Sequence, residues 1–252
     1  MGGDNPPMVL PGSVALVTGA ARRLGRAIAV RLSQGGCRVA VHYRGSRDDA
    51  LATVRMIRDL GGEAEPFPAD LARPAAPAAL VRAVAKRMGP VLVLVNNASI
   101  FPETPFPGGD PRDLEACFAV HVRAPYLLAR AAAPGMLRAG RGKIVNLGDL
   151  YADRTLPRRA PYLATKAALH ALTLALARDL APAVQVNAVA PGAILLPEGA
   201  KPGLARKLAK SIPAGRLGTP EEVAEAVAFL VEGPDFVTGE ILRVDGGRHL
   251  RG

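Results

Sequence analysis

Tyr162 and Lys166 are the two side chains whose types and spacing point most directly to chemistry. They stand four residues apart and open the apolar run 167–177, which has helical character. Residues at i and i+4 share a helix face, so a phenol and an ammonium would lie side by side. The ammonium would stabilise the phenolate and lower the phenol pKa toward working pH, making a general acid/base of a side chain otherwise too weak. A surface Tyr and Lys on a solvated helix is the competing explanation. Asp149, thirteen residues before Tyr162, places a carboxyl group in the same stretch.

The elements that must position these residues read as follows. Val14–Thr18 is a short apolar run ending at Gly19, as a buried parallel strand does. Gly19-Ala20-Ala21-Arg22-Arg23-Leu24-Gly25 then leads into a helical run. Strand, glycine turn and helix N-terminus together make an anion site suited to a pyrophosphate; an ordinary tight turn is the alternative, because a third glycine is missing. The second strand, Arg38–Tyr43, includes His42 and is followed by Arg44 and Ser46. An Asp or Glu usually meets a free ribose hydroxyl at this strand end, and none is present. Arg44, Ser46 and Arg47, with Arg23 from the turn, offer charge and hydrogen bonds to a 2′-phosphate, which favours NADPH over NADH.

Helix and strand keep alternating. A helix over Asp48–Leu60 leads to a strand at Ala64–Ala69, then Asp70-Leu71, where Asp70 would meet an adenine amine or cap a helix. After a helix at Ala75–Met88, the strand Val91–Val95 runs into Asn96-Asn97-Ala98-Ser99, at the carboxyl edge where ligands bind in open α/β sheets. Phe101 follows, either stacking on a flat ring or filling a small satellite core. One or two helices over Leu114–Leu137 hold His121. The strand Lys143–Leu147 delivers Asp149 to the same edge, and the strand Val184–Val189 ends at Pro191-Gly192. Residues 193–212 have the Gly and Pro content of a substrate lid. A helix from Pro220 and a last strand, Ile241–Val244, complete the chain. This alternation predicts an α/β fold: one Rossmann-type domain over 12–252, with a doubly wound, parallel, seven-stranded sheet. Residues 1–11 read as a flexible lead-in.

Composition limits the function classes. The chain has 252 residues, 49% of them apolar, and a net charge of +10. Its 32 basic residues are scattered over many helices, there is no Trp, and aromatics make up 4%, which together argue against nucleic-acid binding. A phosphate-bearing small ligand accounts for part of the charge. Two cysteines, Cys37 and Cys117, in apolar surroundings fit a reducing cytoplasm. No apolar run reaches membrane-span length, and the first residues lack a signal-peptide pattern.

The glycine turn, Asn96-Asn97-Ala98-Ser99, the Tyr162/Lys166 pair and Pro191-Gly192, in this order, resemble the short-chain dehydrogenase/reductase family over essentially the whole chain. The resemblance implies that Tyr162 is the proton donor, that Lys166 binds the nicotinamide ribose and tunes it, and that the protein is a homotetramer built through the helices near 118–137 and 162–180. That family usually has Ser where Asp149 stands. Asp149, Arg23, Asn97-Ala98-Ser99, Phe101 and His42-Tyr43-Arg44 together resemble the pteridine reductases. This narrower likeness implies that a pterin lies between nicotinamide and Phe101, that Asp149 helps Tyr162 protonate it, and that Arg23 reaches from the cofactor phosphates toward the pterin.

A physical argument supports the Asp. An ionised carboxylate repels the oxyanion that develops when a ketone is reduced. Reduction of a pterin C=N bond needs a proton on nitrogen, and a carboxyl group that retains a proton can help deliver it. A carbonyl reductase acting on a 3-oxoacyl thioester is the alternative, and a cofactor-binding protein of weak activity a further one. His121 stands where the family usually has an Asn in a proton relay near Lys166, so the relay either persists through the imidazole or is broken.

Overall fold

The sheet order in the computed structural model is β3-β2-β1-β4-β5-β6-β7, and every neighbouring pair is parallel. The structure describes residues 11–196, 199 and 202–250. The lead-in expected over 1–11 therefore lies, apart from Pro11, outside the described residues, as does part of the expected lid. The strands are β1 Val14–Val17, β2 Arg38–Tyr43, β3 Ala64–Pro68, β4 Val91–Asn96, β5 Gly142–Leu147, β6 Val184–Pro191 and β7 Ile241–Val244. The seven-stranded parallel sheet expected from the alternation is the one observed.

The central strands are apolar throughout because both of their faces are covered. All residues of β1, β4 and β5 are buried. One face packs on α1 (Arg23–Gln34), α2 (Arg47–Asp59) and α8 (Pro220–Glu232), with Ile28, Leu32, Ile57 and Val227 in that core. The other packs on α3 (Ala76–Met88) and α5 (Ala124–Arg138), with Leu16, Leu94, Leu128 and Ile144. Each fully buried Leu or Ile contributes about 2 kcal/mol through burial. In α1 the buried residues Gly25, Ile28, Ala29 and Leu32 recur at the spacing of one helix face.

The helical stretch expected over Leu114–Leu137 is three segments. The helix α4 (Arg112–Phe118) passes through a π-helical turn, Ala119–Arg123, into α5. Insertions of this kind are frequent at functional sites, and His121 sits inside it. The helix α6 (Ala160–Leu180) carries Tyr162 and Lys166, and a short α7 (Leu204–Ala209) falls within the expected lid. The order reverses between β1, which continues outward to β2, and β4, which starts the other half. The crevice beyond the strand carboxyl ends at this reversal is where doubly wound sheets bind ligands.

Candidate active site

A cavity of about 1040 Å³ opens over that reversal, lined by Asp149, Tyr162, Lys166 and the residues singled out for cofactor and substrate except Arg47; His121 also lies outside the lining. The glycine turn forms its floor. Gly19 has φ +64, and a Cβ on it would lie 3.1 Å from Ala98 Cα. A Cβ on Gly25 would sit 2.2 Å from the Gly19 carbonyl and 2.6 Å from Asn97 Nδ2, so only glycine closes the turn against the helix. Between them, Arg23 holds φ +54, a left-handed conformation that costs a non-glycine residue about 1 kcal/mol or more. Its guanidinium donates to the Leu196 carbonyl at 3.1 Å, tying the turn to the segment after β6.

His42 and Asn97 have different tasks from the cofactor contacts expected of them. The Gly19 N–H donates to His42 Nδ1 at 3.0 Å, so Nε2 carries the proton and donates to the Ala69 carbonyl at 3.1 Å. The ring is a buried strut between the glycine turn and the ends of β2 and β3, and burial lowers its pKa to about 4. Asn97 Nδ2 donates to the Thr18 and Gly19 carbonyls at 2.8 and 3.2 Å. Thr18 Oγ1 in turn accepts from the Asn97 and Ala98 N–H groups at 2.9 and 3.0 Å. These residues shape the cradle. Asp70 Oδ1 accepts from Ala72 N–H at 3.1 Å, a turn within the loop after β3; it caps no helix, since α3 starts at Ala76 after Ala75. Tyr43, Arg44, Ser46 and Leu71 border the same end of the cavity, with no acidic residue at the end of β2.

At the opposite end, Asp149 ends the β5 turn and caps the short 3-10 helix Leu150–Asp153. Its Oδ1 accepts from Tyr151 N–H at 2.8 Å, and its Oδ2 accepts from the Tyr162 hydroxyl at 2.5 Å. Burial first, then the charge of Asp149 and this hydrogen bond, hold the Tyr162 phenol well above its ordinary pKa. This corrects the expectation that Lys166 lowers it. Lys166 Nζ donates to the Leu147 carbonyl at 2.6 Å and stands 5.7 Å from the Tyr162 ring centroid. Burial pulls the pKa of this ammonium down to about 8, against the opposing pull of Asp149.

His121 is fully enclosed. Because the Ile100 N–H donates to its Nε2 at 3.1 Å, the proton belongs on Nδ1, which donates to Thr165 Oγ1 at 2.9 Å. Ser99 Oγ also meets Nε2, at 3.0 Å. Burial and the Lys166 charge lower the imidazole pKa to about 3. Both ring nitrogens are engaged and neither meets Lys166, so among the described residues the imidazole ties the end of β4 to α6 and makes no direct relay to the ammonium.

Phe101 is half-exposed beside the dyad, edge-on to Tyr162 with ring centroids 4.6 Å apart. The Arg159 guanidinium covers one of its faces at 4.0 Å and donates to its carbonyl at 2.9 Å. The loop is further strapped to the residues before α6, where Thr104 N–H donates to the Arg158 carbonyl at 2.8 Å. Pro191 and Gly192 close the cavity from β6, where a Cβ on Gly192 would lie 2.8 Å from Asp245 Cβ. Sequence reasoning missed Tyr151, Leu156 and Arg248 in the lining. Arg248 had a usable signal: it follows β7 at the same carboxyl edge as the other site residues. Among the described residues, no helix is long and apolar enough to cross a membrane and no cluster has metal-ligating composition.

The family described as enoyl-(acyl carrier protein) reductase matches residues 19–249. A 3-oxoacyl-[acyl-carrier-protein] reductase FabG of Staphylococcus epidermidis is 34% identical over 240 residues, covering 94% of this chain and 98% of its own. A gluconate 5-dehydrogenase from Burkholderia cenocepacia, in complex with NADP and tartrate, superposes with a TM-score of 0.89 at 33% identity, covering 96% and 97% of the two chains. FolM alternative dihydrofolate reductase 1 from Brucella canis, complexed with NADP, gives a TM-score of 0.90 at 34% identity, covering 96% of each chain.

Proposed function

This chain belongs to the short-chain dehydrogenase/reductase family of oxidoreductases, and within it we propose an NADPH-dependent reductase of a pterin, dihydropterin or dihydrofolate C=N bond. The observation that carries this reading is the Tyr162 hydroxyl donating to Asp149 at 2.5 Å. A carbonyl reductase needs a neutral donor aimed at a developing oxyanion. Here the phenol is paired with a carboxylate, which disfavours negative charge at that point and favours delivery of a proton.

The residues present fit the cofactor. The glycine cradle, which a Cβ would fill, and the N-terminus of α1 suit a pyrophosphate. Arg44 and Ser46, with Arg22 and Arg23 nearby, suit a 2′-phosphate, and Lys166 and Tyr162 the nicotinamide ribose. Leu24, Asp70, Leu71, Ala98, Ser99, Pro191 and Gly192 border the rest of the cavity. NADP accompanies two of the similar structures. When bound, NADPH supplies the hydride that adds to the pterin carbon.

Tyr162 and Asp149 supply the proton as a pair. Tyr162 passes its proton to the substrate nitrogen as a proton from solvent reaches it through Asp149, leaving a neutral phenol and a carboxylate. Phenolate and carboxylate never stand side by side, as the raised Tyr162 pKa requires. Phe101 offers its uncovered face to the pterin, and residues 193–212 act as a lid over it. The test is turnover of dihydrobiopterin and dihydrofolate by the purified protein with NADPH.

A second reading, reduction of a 3-oxoacyl thioester, is supported by the likeness to FabG. Fast 3-oxoacyl turnover without pterin turnover would replace the first reading with it. The proposed assembly is a homotetramer in the cytoplasm, built on α4–α5 and α6, where Leu114, Phe118, Tyr126, Leu137 and Leu174 are 46–52% exposed. Sedimentation of the purified protein as a monomer would overturn the assembly.

A further inference from the structure

Arg248 enters the cavity from the residues after β7, and a dedicated set of contacts holds it there. Asp245 Oδ1 accepts from Gly247 N–H at 2.9 Å, and Oδ2 accepts from the N–H and ring Nδ1 of His249 at 2.7 and 2.9 Å. Arg154, from the residues just after the Asp149 turn, donates to the Arg248 carbonyl at 3.4 Å and to the His249 carbonyl. These bonds shape the 3-10 turn Arg248–Leu250 and lay the Arg248 guanidinium over the Tyr151 ring, 5.3 Å from its centroid. Among the described residues that guanidinium has no carboxylate partner. The guanidinium is half-buried in the cavity lining, where its donors can make charge-assisted hydrogen bonds to a ligand. It faces the Asp149 end of the cavity, away from Arg44 and Ser46, so a 2′-phosphate there does not account for it.

We propose that Arg248 is a specificity-determining residue that binds an anionic group on the part of the substrate remote from the reduced bond. The inference rests on the pterin reading for one source of that anion, the glutamate carboxylates of a folate-type substrate; a phosphate of a thioester carrier would present the same chemistry. An Arg fork pairs bidentately with either group, and Tyr151 beneath it limits its rotamers, so little order is lost on pairing.

The experiment measures kcat/KM with NADPH for two pairs of substrates, in the wild type and in Arg248→Gln and Arg248→Lys. Dihydrofolate is compared with dihydrobiopterin, and a 3-oxoacyl coenzyme A with the same acyl group on N-acetylcysteamine. For ligands not turned over, calorimetric Kd values on the NADP-loaded protein replace kcat/KM. In Arg248→Gln the preference for dihydrofolate over dihydrobiopterin should fall about tenfold, the size of a lost charge-assisted hydrogen bond, through KM and not kcat. Arg248→Lys should recover part of it, and added salt should weaken the anionic member only. Absence of pterin turnover together with loss confined to the coenzyme A thioester would overturn the pterin reading while supporting the role of Arg248. Equal losses for the anionic and neutral members of both pairs would overturn the proposal, whichever substrate is turned over.

Discussion

Asp149 Oδ2 lies 2.5 Å from the Tyr162 hydroxyl, while its other oxygen is fixed by the Tyr151 N–H. The carboxylate is thus held by its own backbone turn and aimed at one atom. Asp149→Ser keeps the turn cap, since a hydroxyl can accept from Tyr151 N–H, but removes the acid. We expect pterin reduction to fall by about two orders of magnitude, the usual worth of a positioned general acid, and 3-oxoacyl or simple ketone reduction to rise. Steady-state rates on both substrate classes check this; an unchanged substrate profile would remove Asp149 from the mechanism.

The same pair sets the response to alkali. Lys166 is charged below about pH 8 and neutral above it, and the Asp149 charge is a force that keeps it from falling further. Activity should therefore decline above about pH 8 as the ammonium loses its proton. In Asp149→Asn that limb should move to lower pH, because the supporting charge is gone. A pH–rate profile of both proteins tests the sign, and a limb that moves to higher pH contradicts the coupling.

Acid should destabilise the fold through its buried imidazoles. The pKa of His42 is lowered to about 4 and that of His121 to about 3, while the unfolded chain takes up their protons near the ordinary value of 6.5. Between pH 6.5 and these lower values the unfolded state binds more protons, so stability is complete above pH 6.5 and is lost as pH falls. By these shifts His42 accounts for about 3 kcal/mol and His121 for about 5 kcal/mol across their windows. His121→Asn keeps a donor and an acceptor, and should lessen the slope of unfolding free energy against pH by about one proton per molecule below pH 6, measured by urea denaturation. An unaltered slope would mean that His121 does not titrate on unfolding.

Arg44 is exposed at the cavity end formed by β2, where no acid competes for a ribose hydroxyl. Arg44→Ala should raise the KM for NADPH about tenfold and leave the KM for NADH within about twofold, as expected for loss of one phosphate hydrogen bond to a charged group. Parallel saturation curves with the two cofactors decide it; equal increases would remove the 2′-phosphate assignment.

Much of this site is legible in the amino-acid sequence because a parallel sheet sends the end of every strand to one edge. Gly19, Asn97, Asp149 and Gly192 each follow an apolar run, so their convergence follows from strand order alone. The direction of the Tyr162 pKa is not legible. Spacing places Lys166 on the same helix face, but it cannot show that the ammonium turns to the Leu147 carbonyl while Asp149 takes the hydroxyl. His42 and Asn97 illustrate the same limit. Their types suit a ligand, yet their polar atoms are engaged by backbone groups of other strands, which only tertiary packing decides. The π-helical turn at His121 leaves no local signal, since residues 114–137 read as one or two ordinary helices.

The packing of α1 against α8 has a consequence for how the chain acquires its shape during synthesis. Ile28 and Leu32 share a core with Val223, Val227 and Val231, and Arg31 pairs with Glu232, 201 residues further on, at 2.7 Å. Because α8 lies so far along the chain from α1, the helix that opens the nucleotide cradle leaves the ribosome well before its covering partner. At translation rates of about 5–20 residues per second, its apolar face stays uncovered for roughly ten seconds or more. Mutations that weaken α8 should therefore show themselves first as lost soluble yield in the cell, before any change in the chemistry of the finished enzyme.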